Sequence, residues 1–247
     1  MHPRPLLVLV HGSRFSRRQW DGYAELLPSA DVVAVDLPGH GERVGTPFTV
    51  EAALAVIDEA VRSGGSGRPV VLAGHSLGGY LASLYAADTP GALAGLVLLG
   101  ATGDPAGRWT GVYTGFAKLL PRVGFERMAR IANAVIRALG ARPEDLPDAA
   151  AYPVLGDAWD AVVERCGPHV LASVDCPVTI ANGRWDQMRI HAARFAAAAP
   201  RARVVVIEGA SHLFPLTHRT ATVEVLREAL ARAAPRPCAE RPRRMDR

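Results

Sequence analysis

Three side chains that lie far apart in the chain are of the types that together carry out acyl transfer. Ser76 sits in Gly74-His75-Ser76-Leu77-Gly78-Gly79, Asp186 in Gly183-Arg184-Trp185-Asp186 and His212 in Gly209-Ala210-Ser211-His212, 110 and then 26 positions apart. A serine hydroxyl is a poor nucleophile at neutral pH. An imidazole must take its proton during attack and return it to the leaving group, while a carboxylate fixes the imidazole tautomer and stabilises the imidazolium. Three residues so distant in sequence can only act together if the fold brings their loops to one place.

The sequence around Ser76 predicts how its loop is built. Val70-Val71-Leu72-Ala73 is a short apolar, β-branched run that passes at once into Gly-x-Ser-x-Gly and then a helical run from Leu77 to Ala87, with Leu77, Leu81 and Leu84 on one stripe. A strand that turns directly into a helix must fold back sharply, which puts the serine in a strained conformation. Gly74 and Gly78 supply hydrogens where a Cβ would collide. This is a nucleophile elbow, which holds a hydroxyl out at the carboxyl edge of a sheet.

Other apolar runs supply the rest of that sheet. Leu6–Val10 is continuous enough to be buried on both faces. Asp31–Asp36, Leu93–Leu99, Pro177–Ala181 and Arg203–Ile207 read as further strands. Helices are expected at Trp20–Leu27, from Thr49 (as cap) to about Arg62, at Ile190–Ala199 and from near Thr217 to Ala233. Strand and helix alternate, which implies right-handed crossovers and a parallel sheet with helices on both faces. In such a sheet ligands gather at the carboxyl ends of the strands, where Ser76, Asp186 and His212 all fall. The amide of Ser13, after the first strand, and that of Leu77, at a helix start, could form an oxyanion hole.

Residues 105–172 break the alternation. They hold helical runs, notably Phe125–Leu139, and no strand-like run, which suggests a helical cap over the sheet edge. Trp109, Tyr113, Phe116 and Trp159 in this block are candidate pocket residues, with packing inside the cap as the competing use of aromatics at helical spacing. The expected organisation is a core of 1–104 and 173–233, a cap of 105–172 and a basic, disordered tail of 234–247.

Composition excludes other classes. At 247 residues and 49% hydrophobic content the chain can bury a full core without disulfides or metal. The three cysteines, Cys166, Cys176 and Cys238, have no metal-ligand spacing, so neither a disulfide framework nor a metal site is expected. The net charge of +4 is largely a property of residues 234–247, which carry five Arg against Glu240 and Asp246. No basic face with interleaved aromatics appears, so nucleic acid is not an expected partner. No run of eighteen apolar residues occurs, and the five apolar residues before His11 are too few for a signal peptide. The expected location is the cytoplasm and the expected partner a small-molecule acyl substrate; the sequence leaves oligomeric state open.

Taken together, Val10-His11-Gly12 with Trp20 nine positions after His11, Asp36-Leu37-Pro38-Gly39-His40-Gly41, the elbow, Gly183–Asp186 and Gly209–His212 resemble the α/β-hydrolase superfamily in its chain order Ser, Asp, His. The resemblance spans about residues 6–232. It implies an α/β-hydrolase fold with a mostly parallel six-stranded sheet, Ser76 as nucleophile, His212 as base, Asp186 as acid and the Ser13 and Leu77 amides as oxyanion hole, with no cofactor. The implied activity is cofactor-independent hydrolysis of a carboxylic ester, thioester or lactone. The alternatives are a lyase, elimination or cyclisation reaction in a biosynthetic pathway, a type II thioesterase, or a non-catalytic ligand sensor. The chain reaches its His-Gly strand almost at once, as in the small branch lacking the first strands, and Arg14 stands where a proline is frequent.

Rivals remain for two roles. Asp104 also follows a strand and could serve as the acid, and His218 could serve as the base unless it lies within the closing helix. His75 should face away from the neighbouring Ser76. His11, Asp36 and His40 read as architectural, and His169 and His191 as surface or cap residues.

Overall fold

The computed structural model describes residues 3–65, 67–104, 124–147 and 149–233. Six strands, β1 (Leu6–Val10), β2 (Asp31–Val35), β3 (Val70–His75), β4 (Gly95–Leu99), β5 (Val178–Gly183) and β6 (Ala202–Ile207), form one sheet in the order β2-β1-β3-β4-β5-β6. Every pairing is parallel, from Leu6↔Val70 beside β1 to Gly183↔Ile207 at the far edge. The order reverses between β1 and β3, so the turn after β3 faces the crevice where an open parallel sheet collects its ligands.

The continuous apolar runs follow from burial on two faces. Along β1, Leu6, Val8 and Val10 join one core with α2 (Val50–Arg62) and α3 (Leu77–Asp88), while Leu7 and Leu9 join a second with Trp20, Tyr23 and Leu226 of the closing helix. Burying a Leu or Val side chain contributes about 1.5–3 kcal/mol, so both halves of each strand's pattern are committed. α3 is buried on nearly all sides, from Leu77 to Ala86, rather than along the one stripe its leucines suggested. Residues 155–165 and 168–173 cover the flank that α2 does not. Thr49 caps α2 as expected, its hydroxyl accepting from the Ala52 amide at 3.1 Å.

Three expected helices are interrupted. Trp20–Leu27 is a 3-10 turn (Arg17–Trp20) and a short helix (Tyr23–Leu26), separated by Gly22 at φ 78°. Ile190–Ala199 is a 3-10 turn (Gln187–His191) leading into a helix (Ala192–Ala198). The closing helix is Phe214–Thr217 and then Arg219–Ala233, with His218 at the break. Among the described residues between β4 and β5 there are helices at Phe125–Ala138 and Leu155–Arg165, with short 3-10 turns and no strand. Trp109, Tyr113, Phe116 and the tail 234–247 lie outside the described residues. Among those described, no helix is long and apolar enough to cross a membrane.

Candidate active site

The turn after β3 is as tight as its glycines imply. Ser76 has φ 50° and ψ −117°, a backbone conformation that costs of order 1–3 kcal/mol unless neighbours over-determine it. They do so here. The Ser76 amide donates to Leu99 O at 2.8 Å, and Ser76 O accepts from the Gly79 and Tyr80 amides at 2.9 and 3.2 Å. A Cβ on Gly74 would lie 2.2 Å from Gly78 O, and one on Gly78 would lie 2.6 Å from both Val10 O and His11 O. Backbone meets backbone at both points, so no side chain could move aside. Although Ser76 is the N-cap of α3, its hydroxyl makes no cap hydrogen bond, and the residue lines a cavity of about 1290 Å³.

Asp186 and His212 line the same cavity, along with Ser13, Leu77 and Trp159. Their loops are stitched by backbone bonds: Arg184 N donates to Ile207 O at 2.9 Å and Trp185 N to Ala210 O at 2.9 Å. Asp186 Oδ1 lies 2.9 Å from His212 Nδ1 and accepts from the Met188 amide at 2.8 Å, while Oδ2 accepts from Asn182 Nδ2 at 3.2 Å. The Asp186 side chain is 0% exposed and that of His212 is 19% exposed. Burial alone would raise the Asp186 pKa. The hydrogen bond and charge of His212, with the Met188 and Asn182 donors, outweigh it and hold the carboxyl below its ordinary value. An ionised carboxylate only accepts, so the hydrogen bond places the imidazole proton on Nδ1 and leaves the Nε2 lone pair available.

His75 faces away from the cavity as expected, and its contact there is informative. It does not line the cavity with Ser76, yet it contacts the residue that carries the base. Its Nε2 lies 3.0 Å from His212 O, and the two rings stand 4.9 Å apart between centroids. Burial, reinforced by the charge of His212, drives its pKa down to about 3, so it stays neutral and donates from Nε2 to the backbone that carries the base. Nothing in the local sequence signals a contact across 137 positions.

The rivals are placed as plainly. Asp104 pairs with Arg194, not with His212, and its amide donates to His191 Nδ1 at 3.0 Å. His191, read as a surface or cap residue, lines the cavity instead, because the 3-10 turn after Asp186 carries it back toward the strand ends. His218 Nδ1 lies 2.9 Å from Thr217 Oγ1, away from the cavity lining, and His169 is exposed. Asp36 accepts from the Arg17 and Glu42 amides at 2.7 and 3.0 Å, and the His11 and His40 rings lie 4.9 Å apart between centroids, tilted at 50°. These contacts tie the loops after β1 and β2 together.

In the loop after β1, the Gly12 amide goes to Gln19 Oε1 at 3.0 Å and the Phe15 amide to Gly12 O at 3.2 Å. The loop's own bonding does not use the Ser13 amide between them. The Leu77 amide opens α3, where first-turn donors lack intrahelical acceptors. Burial pushes the Cys166 and Cys176 thiols up to about 12 and about 11, which leaves them unreactive. Among the described residues, no group of three or more His, Cys, Asp or Glu could hold a metal ion.

The model of the Alpha/beta hydrolase family matches residues 7–225, and the chain belongs to that family; it is an esterase-like α/β hydrolase. It is 28% identical over 243 residues to the pimeloyl-[acyl-carrier protein] methyl ester esterase of Neisseria meningitidis serogroup A / serotype 4A, covering 90% of this chain and 75% of that protein. Lipase LipV of Mycobacterium tuberculosis is 38% identical over 101 residues, covering 40% of this chain and only 37% of the lipase. Among solved structures, a thermophilic esterase from Thermogutta terrifontis superimposes with a TM-score of 0.76 at 25% identity, covering 93% of this chain and 90% of that one.

Proposed function

We propose that the chain hydrolyses a carboxylic ester, thioester or lactone through an acyl-enzyme on Ser76. One observation carries this reading: a buried, ionised Asp186 fixes the His212 tautomer so that Nε2 keeps its lone pair, in the cavity that a strained Ser76 also lines. In the first half-reaction His212 Nε2 takes the hydroxyl proton as Ser76 Oγ attacks the acyl carbon. The oxyanion that forms is received by the Ser13 and Leu77 amides, the second aided by the dipole of α3. Collapse expels the alcohol or thiol, which leaves with the proton held on His212. Water then repeats the sequence, its proton passing to Nε2 and its oxygen to the acyl carbon; as the bond to Ser76 Oγ breaks, that proton returns to Oγ and the carboxylic acid leaves. The described helices between β4 and β5, Phe125–Ala138 and Leu155–Arg165, belong to the cap, and Trp159 of the second lines the acyl pocket.

The test is the rate of Ser76→Ala on an activated ester such as 4-nitrophenyl hexanoate. Loss of the nucleophile should lower kcat by about 10⁴–10⁶. Activity near the parent rate would remove Ser76 from the chemistry and with it the acyl-enzyme.

A further inference from the structure

The cavity holds a charge that acyl transfer does not use. Arg14 follows directly on the proposed oxyanion residue Ser13, has φ 71° and lines the cavity with Ser76 and His212. A left-handed backbone is uncommon for a residue with a Cβ and is kept where the surroundings insist on it. Its guanidinium gives one N–H to the hydroxyl of Tyr152 at 3.1 Å and sits 6.0 Å from the centre of that ring. Tyr152 is 2% exposed. It is therefore a fixed, neutral holder, which orients the cation without cancelling its charge.

No carboxylate among the described residues completes the pair. The two carboxylates that line the cavity are engaged elsewhere, Asp186 by His212 and Asp104 by Arg194. Arg189, a second lining cation, also has no carboxylate partner among the described residues. The walls between are largely apolar, with Leu77, Trp159, Met188 and Ile190, and in such surroundings an uncompensated cation with unused donors attracts an anion strongly.

We propose that Arg14 is a specificity-determining residue that receives a free carboxylate carried by the substrate in addition to its scissile acyl group. The planar guanidinium fork suits a carboxylate seated on two N–H groups, and Tyr152 holds that fork in place. The substrate class is then an anionic ester, thioester or lactone. This proposal rests on Ser76 being the acyl-transfer nucleophile, so its test includes a measurement that needs no turnover.

The intact protein is assayed on two matched pairs, one with charge on the acyl side and one with charge on the alcohol side: 4-nitrophenyl hydrogen adipate against 4-nitrophenyl hexanoate, and 4-carboxyphenyl hexanoate against 4-methylphenyl hexanoate. In at least one pair the parent should favour the charged member in kcat/KM by tenfold or more. Arg14→Gln should shrink that ratio at least tenfold, mainly through KM, and Arg14→Lys should restore part of it. Arg17→Gln, which removes a surface cation, should leave the ratio unchanged. Binding of adipate, followed by titration calorimetry, should weaken at least tenfold in Arg14→Gln. No charge preference in either pair, or equal losses on charged and neutral members in Arg14→Gln, would overturn the proposal and leave Arg14 as a strut to Tyr152. Should the parent hydrolyse none of the four esters, the acyl-transfer reading fails on its own, and equal adipate binding by parent and Arg14→Gln would end the carboxylate site as well.

Discussion

At the residue scale, two carboxylates near the sheet edge have different partners, and their partners separate their roles. Asp186 accepts from the His212 ring, an amide and a side-chain amide, all inside the protein; Asp104 is taken by Arg194. Asp186→Asn would place an amide opposite His212 Nδ1 and favour the wrong tautomer. We expect it to lower kcat on an activated ester by about 10³–10⁴ with KM little changed, and Asp104→Asn to stay within tenfold of the parent. Steady-state kinetics of the two variants decide, and a larger loss in Asp104→Asn would exchange the roles. That Ser76, Asp186 and His212 line one cavity was legible in the sequence because each stands in a short glycine-containing turn directly after an apolar run. His75 against His212, Asn182 on Asp186 and Arg14 on Tyr152 were not. Such contacts join distant segments, and their residue types are just as common in purely structural positions.

At the scale of elements, the strands were legible to within two residues, as were the helices Leu77–Asp88, Val50–Arg62 and Phe125–Ala138, while three other expected helices are broken. A strand buried on both faces has to be apolar throughout, so Leu6–Val10 and Val70–Ala73 announce themselves. The helical runs beside the loops are set by less local forces. Gly22 takes a left-handed backbone between a 3-10 turn and a helix, and the Tyr23 hydroxyl then donates to Pro215 O at 2.6 Å, 192 positions away. At His218 the break is local: its amide closes the short helix by donating to Phe214 O at 2.8 Å, and the longer helix restarts at Arg219. Periodicity marks where apolar residues recur, but not where tertiary contacts tighten a turn. The same holds for α3, whose burial from Leu77 to Ala86 depends in part on residues 155–173 that the pattern of α3 cannot contain.

Across the whole molecule, the same burial that organises the site makes stability depend on pH. His11 opens the loop after β1 and His75, at the end of β3, contacts His212 O, and burial foremost lowers each pKa to about 3, against 6.5 in the unfolded chain. The unfolded state therefore binds more protons between these values, and stability falls as pH drops below 6.5. From pH 7.5 to 5 the loss is about 2 kcal/mol per histidine, about 4 kcal/mol for the pair. Urea unfolding at pH 7.5 and 5.0 measures it; equal stabilities would show that these rings are not held neutral. The central claim is the convergence of three loops, after β3, β5 and β6, into one relay, and it is tested most directly by trapping the nucleophile. Incubation with a fluorophosphonate followed by peptide mass spectrometry should place the adduct on Ser76, with labelling at least 10³-fold slower in His212→Ala. An adduct on another residue, or labelling of His212→Ala at the parent rate, would contradict the account.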